Sequence, residues 1–404
     1  MPHDRLDLVL AARITELEAS GTAKGDEHVI DDVLPPADGF SRRYLLDGGI
    51  RGFLRMNSNS YLGLSHHPAV LDAEEEASRK FGAGPGAVRF ISGTYRPHRD
   101  LEHRLASFHG RDGAIIYSSA YAAVVSTLSS LVTPDTVVFS DELNHNCIIN
   151  GLRMVRPVAR EVYGHLDYDA LDAALGEAAG SAQRAIVVTD GVFSMRGDYA
   201  DLGHLAAIAR DHDSDFEENV ALVVDDSHGV GAFGRTGRGT EEVTDGEADV
   251  LIGTLGKAFG VNGGYVVASD IAVGYLRESG PMYIYSNPVT VGEAAAAEAA
   301  VGILDSDEGI YLIEHLSDMT RRFEAGLVEL GLETIPGPHP VVPLMVRDTA
   351  ETSRLVAHLF DHNVLATGLN FPVVPKGDEE IRFQVNADHT PADIDYVIGL
   401  LGTA

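Results

Sequence analysis

The chain has 404 residues, 45% of them apolar, which is enough for a large buried core and about two to three domains. Its 61 acidic and 30 basic residues give a formal net charge of -31, a field that excludes nucleic acid and anionic membrane surfaces as partners because it repels both. No apolar run reaches the roughly 18 residues of a membrane span, the first residues lack a signal-peptide pattern, and the single cysteine, Cys147, excludes an intrachain disulfide, so we expect a cytoplasmic protein.

The acidity has two explanations. A high-GC genome favours arginine over lysine, and the only lysines here are Lys24, Lys80, Lys257 and Lys376. Such a genome does not account for the surplus of acidic residues. We therefore favour a halophilic protein, whose carboxylate-rich surface stays solvated while salt screens its self-repulsion.

The first predicted element is an amphipathic helix over residues 5–19. Its apolar residues recur at helical spacing and are Leu6, Leu10, Ile14 and Leu17. A polar stretch that contains Pro35 and Pro36 follows, and we interpret it as a linker.

Short Val- and Ile-rich runs then alternate with helical segments. The runs are AIIYSS (114–119), TVVFSD (136–141), AIVVTDGV (185–192), VALVVDDSH (220–228), DVLIGTLG (249–256) and GGYVVAS (263–269). Continuous apolar runs of this length are typical of strands buried on both faces of a mostly parallel sheet. The segments 167–180 and 201–212 suit covering helices, so the fold class is α/β.

The last hundred or so residues predict a smaller α+β domain. A helix over 291–305 leads away from the sheet, and the segments that follow are the strands 340–348 and 381–386, a helix near 351–362 and a helix from Pro391. We therefore divide the chain into an N-terminal helix and arm (1–55), a large domain (56–290) and a C-terminal small domain (291–404).

Candidate functional groups follow the predicted strands at their carboxyl ends, where open α/β sheets bind ligands. They are Ala120 and Tyr121, which offer backbone N–H groups at a helix start, His145, Ser194, Asp225 with His228, and Lys257. Their convergence on one edge of the sheet predicts a catalytic crevice.

Lys257 and Asp225 point to a particular cofactor chemistry. Lys257 stands in GTLGKAFG, where flanking glycines leave room for a bulky ligand, and a crowded, partly dry lysine acts as nucleophile and base. Asp225 ends an apolar run, and a buried carboxylate needs a cation, which a protonated pyridine nitrogen would supply. His145 could stack on a flat ring. Each of these residues also has a purely structural alternative: Lys257 could be a surface lysine, Asp225 could cap a helix or pair with an arginine, and His145 could be a core histidine.

Several motifs together resemble the α-oxoamine synthases, which are fold-type-I pyridoxal-phosphate (PLP) enzymes. They are GTLGKAFG followed by GGY, VVDDSHGVG, TDGVFSM, DELNHNCIINGLR and RFISGT, and the resemblance covers about residues 55–395. The tail NFPVVPKGDEEIRFQVNADHT is most similar to the glycine C-acetyltransferase (2-amino-3-ketobutyrate CoA ligase) branch. The resemblance implies a PLP-dependent acyltransferase that joins an amino acid to an acyl-CoA and works as a homodimer with a shared active site and no metal.

Residue roles around the cofactor ring follow from the resemblance. It implies that Lys257 forms the Schiff base with PLP and moves the Cα proton. Asp225 pairs with the pyridine nitrogen, and His228 with the ring hydroxyl. His145 stacks on the ring, and Ser194 lies near its hydroxyl side.

The resemblance also implies groups for the phosphate and the substrate. The phosphate groups are the backbone of Ala120 and Tyr121, Thr254, and from the neighbouring subunit Ser286 and Asn287 of YSNP. Arg382 would hold the amino-acid carboxylate by a two-pronged contact, and Asn59 would lie near the substrate.

This sequence departs from the family pattern around the cofactor and the acyl site. The departures are Ser60 before Tyr61, Asn146 and Cys147 where small Ala and Ser are usual, Ala123 and Val124 in place of a polar pair, and Arg196 in place of an acidic residue. Val124 and Val125 would suit a pocket for a longer acyl chain. We expect glycine and acetyl-CoA as substrates, and the alternatives are an 8-amino-7-oxononanoate synthase-like enzyme with a longer acyl-CoA and decarboxylation, or a fold-type-I aminotransferase.

Other protein classes fit less well. Gly229, Gly231 and Gly234 form a GxGxxG pattern, but the RTGRG that follows is not helical, which disfavours a nicotinamide oxidoreductase. A Cys147–His145 nucleophile lacks a demonstrated pairing, and a zinc site at Asp225 and His228 lacks a third ligand. A binding protein without catalysis has no reason to keep Lys257 and Asp225.

The charge predicts that stability depends on salt. The screening length falls from about 30 Å at 0.01 M to about 3 Å at 1 M salt, so repulsion among the carboxylates weakens. We expect a higher melting temperature and higher activity in molar salt than in dilute buffer, measured by calorimetry and assay. A melting temperature that does not move with salt would favour the genomic explanation.

Overall fold

The computed structural model describes residues 4–404 except residues 21, 24, 26, 372 and 373. Lys24 lies outside the described residues. So does part of the VVPKG segment, which belongs to the tail that resembles the glycine C-acetyltransferase branch. The helices of the described chain are α1 (Asp4–Ala19), α2 (Pro68–Phe81), α3 (Arg96–His109), α4 (Ala120–Leu131), α5 (Asn146–Met154), α6 (Tyr168–Glu177), α7 (Leu202–Asp211), α8 (Thr240–Thr244), α9 (Asp270–Ser279), α10 (Pro281–Ile284), α11 (Val291–Leu304), α12 (Asp307–Glu329), α13 (Thr349–Asp361) and α14 (Pro391–Leu401). The strands are β1 (Ile30–Leu34), β2 (Arg43–Leu46), β3 (Gly52–Arg55), β4 (Gly113–Tyr117), β5 (Thr136–Asp141), β6 (Ala159–Tyr163), β7 (Arg184–Asp190), β8 (Val220–Asp225), β9 (Val250–Thr254), β10 (Gly264–Ala268), β11 (Val341–Met345), β12 (Val364–Leu365), β13 (Thr367–Leu369) and β14 (Glu380–Gln384).

A seven-stranded sheet with the order β4-β10-β9-β8-β7-β5-β6 forms the centre of the fold. The strands β5 to β9 are parallel neighbours, whereas β10 runs antiparallel to both β4 and β9. The six predicted strands are all present, and the prediction of a mostly parallel α/β fold is confirmed. Strand β6 was not predicted because it is an edge strand whose middle residues are exposed, so it lacks a continuous apolar run.

Both faces of this sheet are buried, which explains the unbroken apolar runs in its strands. In β7 and β8, Ile186, Val188 and Val223 pack in the cluster under α4, α5 and α9, and the alternating residues Val187 and Val224 pack in the cluster on the other face. Because successive side chains of these strands enter two different cores, neither face of the sheet is polar. The sequence therefore shows continuous apolar runs instead of alternating apolar and polar residues.

The polar stretch that was interpreted as a linker is in part a strand. β1 pairs with β2, β2 pairs with β3, and β3 pairs in parallel with β12, with Val364 opposite Leu54. The linker interpretation is therefore wrong for residues 30–34. Sequence reasoning missed this strand because IDDVL carries two adjacent aspartates and is largely exposed, so it shows neither an apolar run nor an alternating pattern.

The C-terminal part carries a three-stranded sheet with the order β11-β14-β13. Arg43 pairs with Asp393 at 2.8 Å and Arg42 with Asp388 at 2.9 Å, so ionic contacts join the N-terminal arm to this part. The helix α1 forms as predicted, but none of its residues is buried and Leu8 is 72% exposed. No helix in the described ranges combines the length and the apolar character that a bilayer crossing requires.

Candidate active site

The register of the central sheet sets two carboxylates side by side at its carboxyl edge. Asp190 ends β7 and Asp225 ends β8, and the two residues are direct neighbours across the strands. Both are buried, and Lys257 follows β9, the next strand. Burial lowers the pKa of Lys257, while the charges of Asp225 and Asp190 act to raise it and that of Arg382 acts to lower it further.

Asp225 is a buried carboxylate without a cation. Its Oδ1 accepts the backbone N–H of Ser227 at 3.1 Å, and its Oδ2 accepts the Cys147 thiol at 3.3 Å. Throughout the described chain no Lys, Arg or His forms an ion pair with it, so the arginine-pair alternative has no support. A carboxylate so placed fits a ligand that brings its own positive charge, such as a protonated pyridine nitrogen.

His145 is fixed by its position before helix α5. Its backbone N–H donates to Asp190 Oδ2 at 2.9 Å, and its ring Nδ1 accepts the backbone N–H of Cys147 at 3.2 Å. An acceptor at Nδ1 places the proton on Nε2, and burial lowers the pKa of the ring, so the imidazole is neutral at pH 7.

Asn144 and Asp190 support His145 and were missed by sequence reasoning. The Asn144 amide donates to Ser140 Oγ at 2.9 Å and to the Val188 carbonyl at 2.8 Å, and its Oδ1 accepts the Asp190 N–H at 2.8 Å. The available signal was positional, since both residues stand at strand ends beside predicted site residues.

His228 meets residues from distant parts of the chain. Its Nδ1 lies 2.8 Å from the hydroxyl of Tyr61, which is fully buried, and its carbonyl accepts from His339 Nε2 at 2.9 Å. Burial, assisted by Lys257, holds the pKa of His228 well below its usual value. Tyr61 and His339 were not predicted as site residues, because neither follows a strand of the central sheet.

The start of helix α4 supplies an anion site. Ala120 is the first residue of α4, and the Ser119 hydroxyl before it accepts the Ala122 N–H at 3.1 Å. The N–H groups of Ala120 and Tyr121 therefore belong to the first turn, which has no intrahelical partners. A Cβ at Gly264 would lie 2.2 Å from the Ala120 nitrogen, so only glycine allows β10 to pass this close to the turn.

Thr254 closes the same corner, since it is the residue paired with Gly264 across β9 and β10. Its hydroxyl accepts the Gly256 N–H at 3.1 Å and donates to the Gly263 carbonyl at 3.3 Å. The corner thus offers two backbone donors at a helix start with a hydroxyl next to them, which fits a phosphate group.

Arg382 is held at the opposite side of the site. Its Nη1 donates to the Ser194 carbonyl at 3.1 Å, and its Nε and Nη2 lie 2.8 and 2.9 Å from the Gln384 carboxamide, which presents its oxygen. The second N–H of Nη1 meets the sulfur of Met195 at 3.8 Å, a weak acceptor that a carboxylate would displace. Each terminal nitrogen can then offer one N–H to a carboxylate, which accepts with both oxygens. Asn59 Oδ1 accepts from the Tyr61 hydroxyl at 3.4 Å, so Asn59 borders the same region.

Ser286 and Asn287 are not brought into this cluster by their own chain. They lie in the exposed turn between α10 and α11, where the Ser286 hydroxyl donates to the Asn287 carbonyl at 3.4 Å. Among the described residues they share no hydrogen bond with the groups above.

One sequence interpretation of the surrounding residues changes. Ala123, Val124 and Val125 are buried at 0–2% exposure in the middle of α4, and Ala123 and Val124 belong to the core cluster beneath the sheet. The interpretation of Val124 and Val125 as the wall of an acyl pocket is therefore wrong. The side chain of Tyr121 is exposed and meets Asn146 and Asn150 rather than the anion site.

The contact between Cys147 and His145 does not make a nucleophilic pair. Cys147 Sγ lies 2.9 Å from His145 Nδ1, but that nitrogen already accepts a backbone N–H. Burial raises the pKa of the thiol, and Asp225 and Asp190 raise it further, so the thiolate needed for attack is disfavoured. The chain after Gly234 makes turns rather than a helix, and the described part of the chain holds no group of three potential metal ligands.

The amine of Lys257, the buried carboxylate of Asp225 and the start of α4 follow strands at one edge of the central sheet, an arrangement that fits PLP. A family model for aminotransferase class I and II matches residues 51–401. The chain is 37% identical over 351 residues to 8-amino-7-oxononanoate synthase of Bacillus pumilus, covering 86% of this chain and 87% of the relative. It is 35% identical over 395 residues to the mitochondrial 2-amino-3-ketobutyrate coenzyme A ligase of Mus musculus, covering 97% and 91%.

Solved structures agree with these relatives. The serine palmitoyltransferase of Sphingomonas wittichii superposes with a TM-score of 0.88 at 26% identity over 99% of this chain and 97% of that one. A structure of SPT with PLP has the same TM-score at 27% identity over 100% and 97%. The chain belongs to the α-oxoamine synthase family of PLP-dependent acyltransferases, within the aminotransferase class I and II group.

A histidine at the rim of the site was missed by sequence reasoning. His165 bridges Asp141 through Nδ1 and Asp198 through Nε2, each at 3.1 Å, and packs edge-on against Phe193. Although burial lowers its pKa, the two hydrogen-bonded carboxylates outweigh this and raise the pKa to about 9. The histidine thus clamps the segment that carries Ser194 onto the sheet.

This clamp predicts a pH-dependent stability. Because the folded pKa is raised from 6.5 to about 9, the stabilisation is complete below pH 6.5 and is lost as the pH rises through 9, an effect of about 2–3 kcal/mol. Between pH 6 and 9.5, the unfolding free energy of the wild type should fall by about this much more than that of His165→Gln, measured by urea denaturation. His204→Gln, at an exposed histidine on α7, serves as control. Parallel curves for wild type and His165→Gln would contradict the clamp.

Proposed function

We propose that this enzyme condenses glycine with an acyl-CoA, with acetyl-CoA as the preferred donor, to give an α-amino-β-keto acid and free CoA. The observation that carries the proposal is that Lys257 and the unpaired carboxylate of Asp225 follow neighbouring strands at one edge of the sheet, with an arginine placed for a carboxylate. Family membership supports the reaction class. The relatives bear two different activities, so the choice of glycine and acetyl-CoA rests on the tail around Arg382 and on the site itself.

PLP fits the groups that the chain provides. Asp225 would keep a proton on the pyridine nitrogen, Lys257 would bind the aldehyde carbon, and the first turn of α4 with Thr254 would hold the phosphate. His145 would lie flat on the ring, and His228 would face the ring hydroxyl. The chemistry that PLP supplies when bound is an electron sink for the carbanion left when a Cα bond is broken.

The remaining steps belong to residues of this chain. Arg382 would hold the glycine carboxylate with one N–H of each terminal nitrogen, which fixes the Cα–H bond that faces Lys257. Lys257 would take this proton as a neutral amine, and its lowered pKa increases the neutral fraction. The protonated Lys257 could then donate this proton to the CoA thiolate that leaves as the new carbon–carbon bond forms, which would return the lysine to its neutral form.

A small acyl group suits the packing of the site. Val124, which would have lined a longer pocket, is part of the core, and Val125 beside it is 2% exposed, so neither valine offers a wall to a long acyl chain. A bulky amino-acid side chain would in turn compete with the thioester for the same face of Cα, which favours glycine. Longer acyl donors with decarboxylation, and transamination without CoA, remain the alternative activities.

Lys257 should be the residue that carries the cofactor. Borohydride reduction of the yellow holoenzyme should fix PLP to the peptide that contains Lys257, identified by mass spectrometry. Lys257→Ala should lose this label and about 10²–10⁴-fold of the activity, because the general base is gone. Lys376→Ala is the control and should be labelled as the wild type is. A label recovered on Lys24, Lys80 or Lys376 would end the assignment.

The acyl donor is decided by comparing specificity constants. CoA release is measured with acetyl-, propionyl-, succinyl- and pimeloyl-CoA at one fixed glycine concentration. The specificity constant, kcat/KM, should be highest for acetyl-CoA. A tenfold higher specificity constant for a longer thioester, about 1.4 kcal/mol in the transition state, would refute the acetyl preference and leave the family intact. Turnover with an oxo acid and no CoA release would instead identify an aminotransferase.

We also propose a homodimer in which Ser286 and Asn287 reach the partner's phosphate site. The motivation is that these residues lie apart from the cluster of their own chain. Mixing inactive Lys257→Ala with inactive Ser286→Ala/Asn287→Ala protein should restore about a quarter of the wild-type activity, because each mixed dimer has one intact site. Mixed dimers that stay inactive, or an active monomer in light scattering, would refute the shared site.

A further inference from the structure

Cys147 occupies a position between two groups of the site that nothing in the reaction yet explains. Its side chain is 2% exposed, with Sγ 3.3 Å from Asp225 Oδ2 and 2.9 Å from His145 Nδ1. It is the only cysteine in the chain, and it stands where the family usually has a small Ala or Ser.

The direction of its hydrogen bond follows from the neighbouring acceptors. His145 Nδ1 already accepts the backbone N–H of Cys147, so its lone pair is in use. Asp225 Oδ1 accepts the Ser227 N–H, whereas Oδ2 has the thiol as its donor. A carboxylate is also the stronger acceptor, so the S–H points to Asp225.

We infer that Cys147 is a positioning residue whose thiol donates to Asp225 while its backbone N–H donates to His145 Nδ1. The inference rests on the proposed function, in which Asp225 and His145 face the cofactor ring. One residue then fixes both groups: its side chain holds the carboxylate in the plane of the ring, and its backbone holds the imidazole that lies against the ring.

The thiol is available as a donor over the working range of pH. Burial, with Asp225 and Asp190 close by, raises its pKa far above the usual range, so the sulfur keeps its proton. A thiol is a weaker donor than a hydroxyl. Asp225 therefore keeps more negative charge for the ring nitrogen than it would beside a serine, and less than it would beside an alanine.

The infrared S–H stretching band tests the hydrogen bond without any cofactor or turnover. Because the chain has one cysteine, the band belongs to Cys147, and Cys147→Ser should remove it. Asp225→Asn, with a weaker neutral acceptor, should move the band to higher frequency in the apoprotein. Asp226→Asn is the matched control, because this buried neighbour bonds to Thr240 instead and should leave the band in place. An S–H band that is the same in wild type and Asp225→Asn overturns the inference.

Titration of the apoprotein with PLP tests the consequence for the site. Cys147→Ala should weaken PLP binding about three- to tenfold, as expected for the loss of one ordinary hydrogen bond from a weak donor that positions Asp225, and Cys147→Ser should restore it. The pH midpoint of the absorbance change of bound PLP should follow donor strength, with the wild type between the two variants. A wild-type midpoint outside that interval contradicts the inference. If the wild type binds no PLP, the proposed function fails, and the infrared comparison still decides the role of the thiol.

Discussion

The site depends on the burial of two adjacent carboxylates, neither of which is hydrogen-bonded to a cationic side chain in the described part of the chain. Asp190 and Asp225 face each other across β7 and β8 because the strands are parallel and in this register. Burial, with Asp225 next to it, raises the pKa of Asp190 well above its ordinary value. The cost of this arrangement is offset by backbone N–H groups, by Lys257 and, on our proposal, by a cationic ligand, which makes the pair a binding feature rather than a stabilising one.

The groups around this pair fall into two sets according to how they are held. Lys257, His145 and the start of α4 are placed by the ends of strands in one sheet. Tyr61, His339 and Arg382 come from the N-terminal segment and the C-terminal part of the chain, and they reach the site only because β3 pairs with β12 and because β14 directs Arg382 toward Ser194. The first set does the cofactor chemistry on our proposal, and the second set holds the substrate and the histidine that faces the ring.

The residues that depart from the family pattern differ in how directly they contact the site. Ala123 and Val124 are core residues, so their change from a polar pair concerns packing. Arg196 makes a contact with Asp198 at 3.4 Å at the exposed rim, next to the His165 clamp. Cys147 alone among them touches two groups of the site directly, which is why its substitution bears on the chemistry.

The sequence by itself determined the α/β class, six of the strands of the central sheet and the strand-end positions of Lys257, Asp225 and His145. These features are local, since an apolar run followed by a reactive residue can be recognised within about ten positions. The tertiary structure decided the rest: that residues 30–34 are a strand, that Val124 lies in the core, and that Tyr61, Asp190, His339 and the Cys147 thiol meet the predicted groups. The strand at residues 30–34 is exposed and carries no apolar pattern, whereas the contacts within the site join segments far apart in the chain. The side of a helix that faces a site or a core is fixed only when the neighbouring elements pack against it.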